Sequence, residues 1–248
     1  CLLMRDMKSK AVFAWVVPHK GRDATGFVVD ELAAAIRWLG YSRLILKSDN
    51  EPAVVALLKD TLRAIRVDVE EAKAEHPMPY DSKANGGVEN GIRNFRGRLR
   101  TLKCCLEDRM GKHLPIDHPV MSWLVRHCAD INTIRLRNTD GKTGWQRVKG
   151  RPFGLRRAGF GELCQFKLPT RGPRAAARGN TTERWEKGVF LGYSKDANTY
   201  LYATPLGIQS SRCLERLPVQ NRWHTDTIAE IQAIPSSLHV PRHPQAIL

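Results

Sequence analysis

Apolar positions along the chain alternate first at a strand period, then at a helix period, and the alternation repeats. CLLMR, a polar DMKSK and the β-branched, aromatic AVFAWVVP predict a hairpin whose second strand is ended by Pro18. HKGRDAT is a loop. Residues 26–39 place Phe27, Leu32, Ala35, Ile36 and Leu39 at helical spacing before Gly40. SRLILKSD (42–49) is a short buried strand. Residues 51–65 form a helix with Pro52 in its first turn and Val54, Val55, Leu58, Leu62 and Ile65 facing inward. VDVEEA (67–72) is a strand, and AEHPMPYDSKANGG (74–87) is a loop rich in breakers. Long helices follow over 88–110 and 119–137. This order predicts an α/β domain with a mixed sheet. Beyond about residue 145 helical periodicity stops. GVFLGYS (188–194), NTYLYATP (198–205) and GIQSSRCLERLP (207–218) read as three short strands, and residues 224–248 have no strong period and read as loosely held.

Charge narrows the class. In 248 residues, 40 Lys and Arg face 25 Asp and Glu, for a formal +15. That excess points to a polyanionic partner, most simply nucleic acid, and a merely basic or ribosomal-type protein fits it equally well. Residues 146–187 alone hold 11 Lys and Arg against 3 Glu. The 6 cysteines include the adjacent Cys104 and Cys105 but no CxxC ladder, which argues against disulfides and zinc and for a reducing compartment. No apolar run approaches the ~20 residues of a membrane span, so no membrane partner is expected. The start, at Cys1 inside an apolar run, reads as that of a piece of a longer polypeptide.

Two carboxylates stand out. Asp49 lies where a central strand gives way to a loop, a place for a metal ligand or for a helix N-cap. Glu89 opens the helix after the breaker-rich loop, either as a ligand or as a first-turn answer to the helix dipole. Together they could hold Mg²⁺ for phosphoryl transfer. The helix of Glu89 carries an apolar stripe of Val88, Ile92, Phe95, Leu99 and Leu102. Beside it runs a second stripe of Glu89, Arg93, Arg96 and Arg100. A row of guanidinium groups on one face suits a DNA backbone; the bland reading is a solvated face with a Glu89–Arg93 ion pair.

At this point a family resemblance enters. SDNEPA around Asp49 resembles the second-aspartate motif of retroviral and retrotransposon integrases. NGGVENGIRNFRGRLRTL (85–102) is similar to the copia-type pattern in which Asn-Gly precedes the third acidic residue, a basic helix and a Leu. RDMKSKAVFAWVV resembles the hairpin after the first catalytic strand. GVFLGYS, the Tyr-rich strand and GIQSSR resemble the small domain behind such cores, so the likeness spans about residues 1–218. Two departures are Glu51, where the family more often has Gly, and PYDSKANGG in place of a Ser/Thr-Pro loop.

The resemblance implies an RNase H-like core over residues 1–140, lacking its first strand, and a basic linker over 141–160. A small SH3-like β-barrel over 161–218 and a flexible tail over 219–248 would follow. It makes Asp49 and Glu89 the second and third members of an Asp-Asp-Glu triad, catalytic and binding Mg²⁺ or Mn²⁺. Lys47, Arg93, Arg96, Arg100 and Lys103 would hold phosphates of element ends and target DNA. The parent enzyme would join DNA strands as a homo-multimer, inside the cell and in the nucleus when acting on chromosomal DNA. Asp6 matches the hairpin turn rather than the triad, so metal binding and strand transfer by this chain should be weak or absent. The alternative is a non-catalytic DNA-binding relic or domesticated module. A zinc cluster of His113, His118, His127 and Cys128 has the wrong spacing. Trp15, Trp38 and Trp123 read as core, Trp185 as packing under the small domain, and the basic run 171–187 as a solvated loop, a DNA-contacting arm, or both.

Overall fold

The computed structural model describes residues 1–17, 19–21, 23–75, 86–169 and 182–238. Nearly all of the breaker-rich loop over 74–87 and much of the basic run over 171–187 lie outside the described residues, as do Pro18 and 239–248. The chain is mixed α/β and forms two compact units. One joins Cys1–Arg98 to Ala129–Phe153, and the other joins Leu99–Cys128 to the chain from Gly154 onward.

In the first unit, β1 (Leu2–Arg5) and β2 (Val12–Trp15) pair antiparallel, with Leu2 opposite Trp15 and Arg5 opposite Val12. The turn between them is organised by Asp6, whose carboxylate accepts hydrogen bonds from Lys8 N at 3.3 Å and Ser9 N at 2.7 Å and from the Ser9 hydroxyl. Helix α1 (Phe27–Leu39) ends at Gly40, whose φ of 70° lets its N–H reach Ile36 O. Strand β3 (Arg43–Lys47), helix α2 (Pro52–Ala64) and strand β4 (Glu71–Glu75) form a parallel crossover.

Strand β4 lies later than the expected 67–72. The chain leaving α2 turns through Val67, which is 93% exposed, with Asp68 N–H bonded to Ile65 O. The β-propensity of Val67 and Val69 yields there to the turn, and Ala72 is the inward position against Ala33, Ile36 and Ile65. The expected mixed sheet is present as two separate two-stranded sheets, β1–β2 and β3–β4. Among the described residues β1 pairs only with its hairpin partner β2, and β3 only with β4 across the α2 crossover. Met4 of β1 and Leu44 and Leu46 of β3 nevertheless pack on the same cluster of Ala33, Ile36 and Ile65.

Helices α3 (Gly86–Met110) and α4 (Val120–Arg135) are shared between the units, so the chain does not part at residue 140. Within the first unit, Thr133 Oγ1 on α4 accepts from Val12 N–H at 2.8 Å and lies 2.9 Å from Val12 O. The short helix α5 (Gly144–Lys149) was hidden in the stretch read as linker; Thr143 and Gln146 cap it reciprocally. It delivers Trp145 to an aromatic chain, Phe13–Trp38–Trp145–Phe153, with centroids 4.8–5.6 Å apart.

The second unit carries a five-stranded antiparallel sheet in the order β8-β7-β6-β5-β9. The strands are β5 (Leu163–Lys167), β6 (Trp185–Ser194), β7 (Thr199–Thr204), β8 (Gly207–Ser211) and β9 (Leu214–Arg216). Their pairing does not close into a barrel: β8 and β9 are edges among the described residues. The expected single strand over 207–218 breaks after Ser211, whose hydroxyl donates to Lys167 O at 2.8 Å and accepts from Cys213 N–H. A bulge sits between Phe190 and Gly192 of β6. Gly188 has to be Gly, because a Cβ there would stand 2.4 Å from Tyr202 Cδ2.

One sheet face packs Val189, Leu191 and Ala203 on Leu106, Leu114 and Leu124 from the helical segments. Helix α6 (Thr225–Ala229) adds fully buried Ile228, and Trp123 donates its indole N–H to Ala233 O. The tail is therefore packed rather than loose as far as Ala233. The tail reads as loose because Ile228, Ile231 and Ala233 follow no regular period. Trp15, Trp38 and Trp123 are core, as their settings predict.

Candidate nucleic-acid interface

Asp49 follows β3 directly, two residues short of the Glu51 N-cap of α2. It is exposed, and its carboxylate makes no hydrogen bond or ion pair among the described residues. It does not cap the helix either: Glu51 holds that position in extended conformation without a side-chain bond. Glu51 instead pairs with Lys20 at 3.0 Å. Lys47 closes β3 with its side chain exposed.

Glu89 occupies the first turn of α3, as the dipole argument requires, and is exposed. The Glu89–Arg93 ion pair does not form; Arg93, Arg96 and Arg100 are all exposed and engage no protein group among the described residues. Phe95, at 4% exposure, marks the opposite, buried side of the helix. The neighbouring Arg98 leaves the basic row and bonds to the Asn132 side chain. Lys103 differs from the three arginines. Its ammonium is held by Glu107, which also accepts Leu114 N–H at 2.8 Å and pairs with His113. Those contacts, the Lys103 hydrogen bond first, hold the Glu107 carboxyl below its ordinary pKa.

Arg5, not singled out by pattern, crosses the start of α3. Its guanidinium donates to Gly87 O at 2.9 Å, and a Cβ on Gly91 would stand 3.0 Å from Arg5 Nη1. Glycine at 91 thus leaves room for a further cation beside the turn of Glu89. The only signal in the sequence was the glycine spacing in NGGVENG.

Asp6 is consumed by its turn. Burial works to raise its pKa, but the bonds from Ser9, Tyr41 and Lys8 outweigh this and the carboxyl sits below its ordinary value. Burial, reinforced by Asp6, pushes its partner Tyr41 up to about 12. The zinc alternative disperses. His113 faces Glu107, His118 Nδ1 accepts Val120 N–H, and His127 lies in a ring cluster with Phe160, Phe190 and Tyr193. Among the described residues no three His, Cys, Asp or Glu side chains are grouped to hold a metal ion.

A further acidic residue was easy to miss. Glu162 is fully buried and receives both Arg216 Nε at 2.6 Å and Nη2 at 2.8 Å, with Arg222 Nε at 3.4 Å. It is the one carboxylate in the basic stretch preceding Glu183. Its partners show it to be structural. Among the described residues no helix is long and apolar enough to cross a membrane. No protein-family model matches the chain, and no curated protein matches it either.

Proposed function

We propose that this chain binds DNA through the exposed face of α3 and represents the DNA-handling core of a copia-type integrase. RNase H-like ancestry for the first unit and SH3-like ancestry for the five-stranded sheet are part of that proposal. The observation that carries the binding reading is the exposed row Arg93, Arg96 and Arg100, which engages no protein group among the described residues. Guanidinium groups left without protein partners in a chain of formal charge +15 are available to phosphates. Contacts of this kind go to the backbone, so sequence preference should be low.

The resemblance also assigns Mg²⁺ or Mn²⁺ to Asp49 and Glu89. Both are exposed carboxylates of the right oxygen-donor chemistry, and neither is neutralised by a protein cation. Among the described residues no group of three or more His, Cys, Asp or Glu side chains includes them. Metal-dependent strand joining, multimeric assembly and a nuclear site of action are part of the same proposal. The second reading is a non-catalytic DNA-binding module, and what supports it is that the Asp6 carboxylate is engaged within its own turn and by Tyr41.

The test is titration of a fluorescent 20-base-pair duplex with wild type and with Arg93→Gln/Arg96→Gln/Arg100→Gln, over a range of salt. Wild type should bind, and the triple variant should lose about 2.7 from the slope of log K against log salt, at about 0.9 per phosphate contact. An unchanged slope removes the α3 reading. In parallel, strand transfer with Mg²⁺ or Mn²⁺ should be absent or very slow; robust joining that disappears in Glu89→Gln with binding intact would restore a complete catalytic role to this chain.

A further inference from the structure

The second unit presents a different cationic surface, on β5 and β6. Their register puts Lys167 directly opposite Trp185, and Gln165 directly opposite Lys187. In an antiparallel ladder, residues that oppose one another share a face, as do residues two apart. Trp185 therefore stands between Lys167 and Lys187 on one side of the sheet. The far end of this same face, Leu163 and Val189, is covered by the helical cluster. The near end is uncovered: Lys167 and Lys187 are exposed, and Trp185 and Gln165 are partly exposed.

Trp185 has no ring contact and no hydrogen bond through its indole N–H among the described residues. That sets it apart from the buried tryptophans Trp15 and Trp123, whose indole N–H groups are bonded. Neither lysine is neutralised by an ion pair among the described residues. Two of the carboxylates nearby are taken: Glu215, opposite Gln165, pairs with Arg156 at 3.2 Å, and Glu186, on the other face, accepts from the Tyr202 hydroxyl at 2.6 Å, while Glu183, two residues before Trp185, is exposed.

A partly exposed indole flanked by two exposed ammonium groups offers a π-face to a base and cations to the phosphates on either side. We infer that Lys167, Trp185 and Lys187 form a second nucleic-acid site, a stacking platform for single-stranded DNA. A duplex hides its base faces in the stack, so it cannot use Trp185 in this way; an unpaired strand can. The site lies on other elements than α3 and does not depend on the duplex-binding proposal.

The experiment is fluorescence anisotropy with fluorescein-labelled dT20 and with a 20-base-pair duplex, using the full chain. Trp185→Ala should weaken dT20 binding about tenfold, within the range for loss of one base stack, while Trp185→Phe keeps most of the affinity. Lys167→Gln and Lys187→Gln should each lower the single-strand salt slope by about 0.7. Duplex affinity should be unchanged in all four variants and reduced only by the α3 triple variant. Circular dichroism melting confirms that each variant folds. Equal loss with Ala and Phe, wild-type binding of dT20 by Trp185→Ala, or a parallel loss on the duplex would each overturn the stacking platform, and none of these results bears on α3.

Discussion

The two compact units solve the same problem, burying one face of a sheet, with opposite economies. The first has two-stranded sheets that share a cluster of the buried Ala33, Ile36 and Ile65. The second has five hydrogen-bonded strands on a cluster that runs from Leu106 through Trp123 to Ala233. The first compensates with aromatic contacts among Phe13, Trp38, Trp145 and Phe153 and with local caps. The second gathers its burial under one five-stranded sheet, whereas the first divides it between two small sheets, an aromatic chain and local caps. Single substitutions should therefore cost more in the second unit than in the first.

The comparison can be broken at its strongest point. Trp123→Ala should cost about 3–5 kcal/mol, read by urea unfolding, because it empties a fully buried volume and frees Ala233 O. Thiol labelling localises the damage, since Cys128 and Cys164 are both buried in this unit. Burial foremost, with Glu162 adding to it, pushes the Cys164 thiol up to about 12. It should resist iodoacetamide in the wild type and react in the variant.

Next comes Glu162→Gln, expected to cost about 2–3 kcal/mol by leaving Arg216 and Arg222 around a neutral amide. A loss below about 0.5 kcal/mol would mean that water satisfies those arginines. In the first unit, Thr143→Ala removes one half of the α5 capping box for about 1 kcal/mol. If this variant proves as costly as Trp123→Ala, the contrast between the units is wrong.

The smallest effect is the Asp6 turn. The folded pKa of Asp6 lies below its ordinary 3.8, so its stabilisation is complete above that value and is lost as pH falls through the folded pKa. Asp6→Asn should cost about 0.5–1 kcal/mol at neutral pH, and its deficit relative to wild type should shrink below pH 3.8, measured by thermal melts across acid pH.

Legibility followed the same division. Helices with continuous stripes were readable to within about two residues, because their faces are decided by neighbours three and four positions away. β4 was misplaced because Val67 carries strand propensity into a turn that only the fold reveals. β5 was not readable, since its Leu-Cys-Gln-Phe-Lys pattern acquires meaning only beside β6 and β9. Of the site, the arginine row followed from spacing, whereas the solvent exposure of Asp49 and Glu89 did not. The Lys103–Glu107 pair and the Arg5 crossing depend on rotamers and on segments 82 positions apart in the second case.

The edges of the five-stranded sheet have a consequence for handling the protein. β9 is three residues long and is followed by Pro218, while the β8 edge is engaged where Ile208 N–H donates to Leu238 O. Unpaired backbone at a sheet edge is what recruits a second chain into a growing fibril, and short, capped edges give it little to extend. Self-association through this sheet should therefore be slow, and titrations at high protein concentration should report on nucleic acid rather than on aggregates.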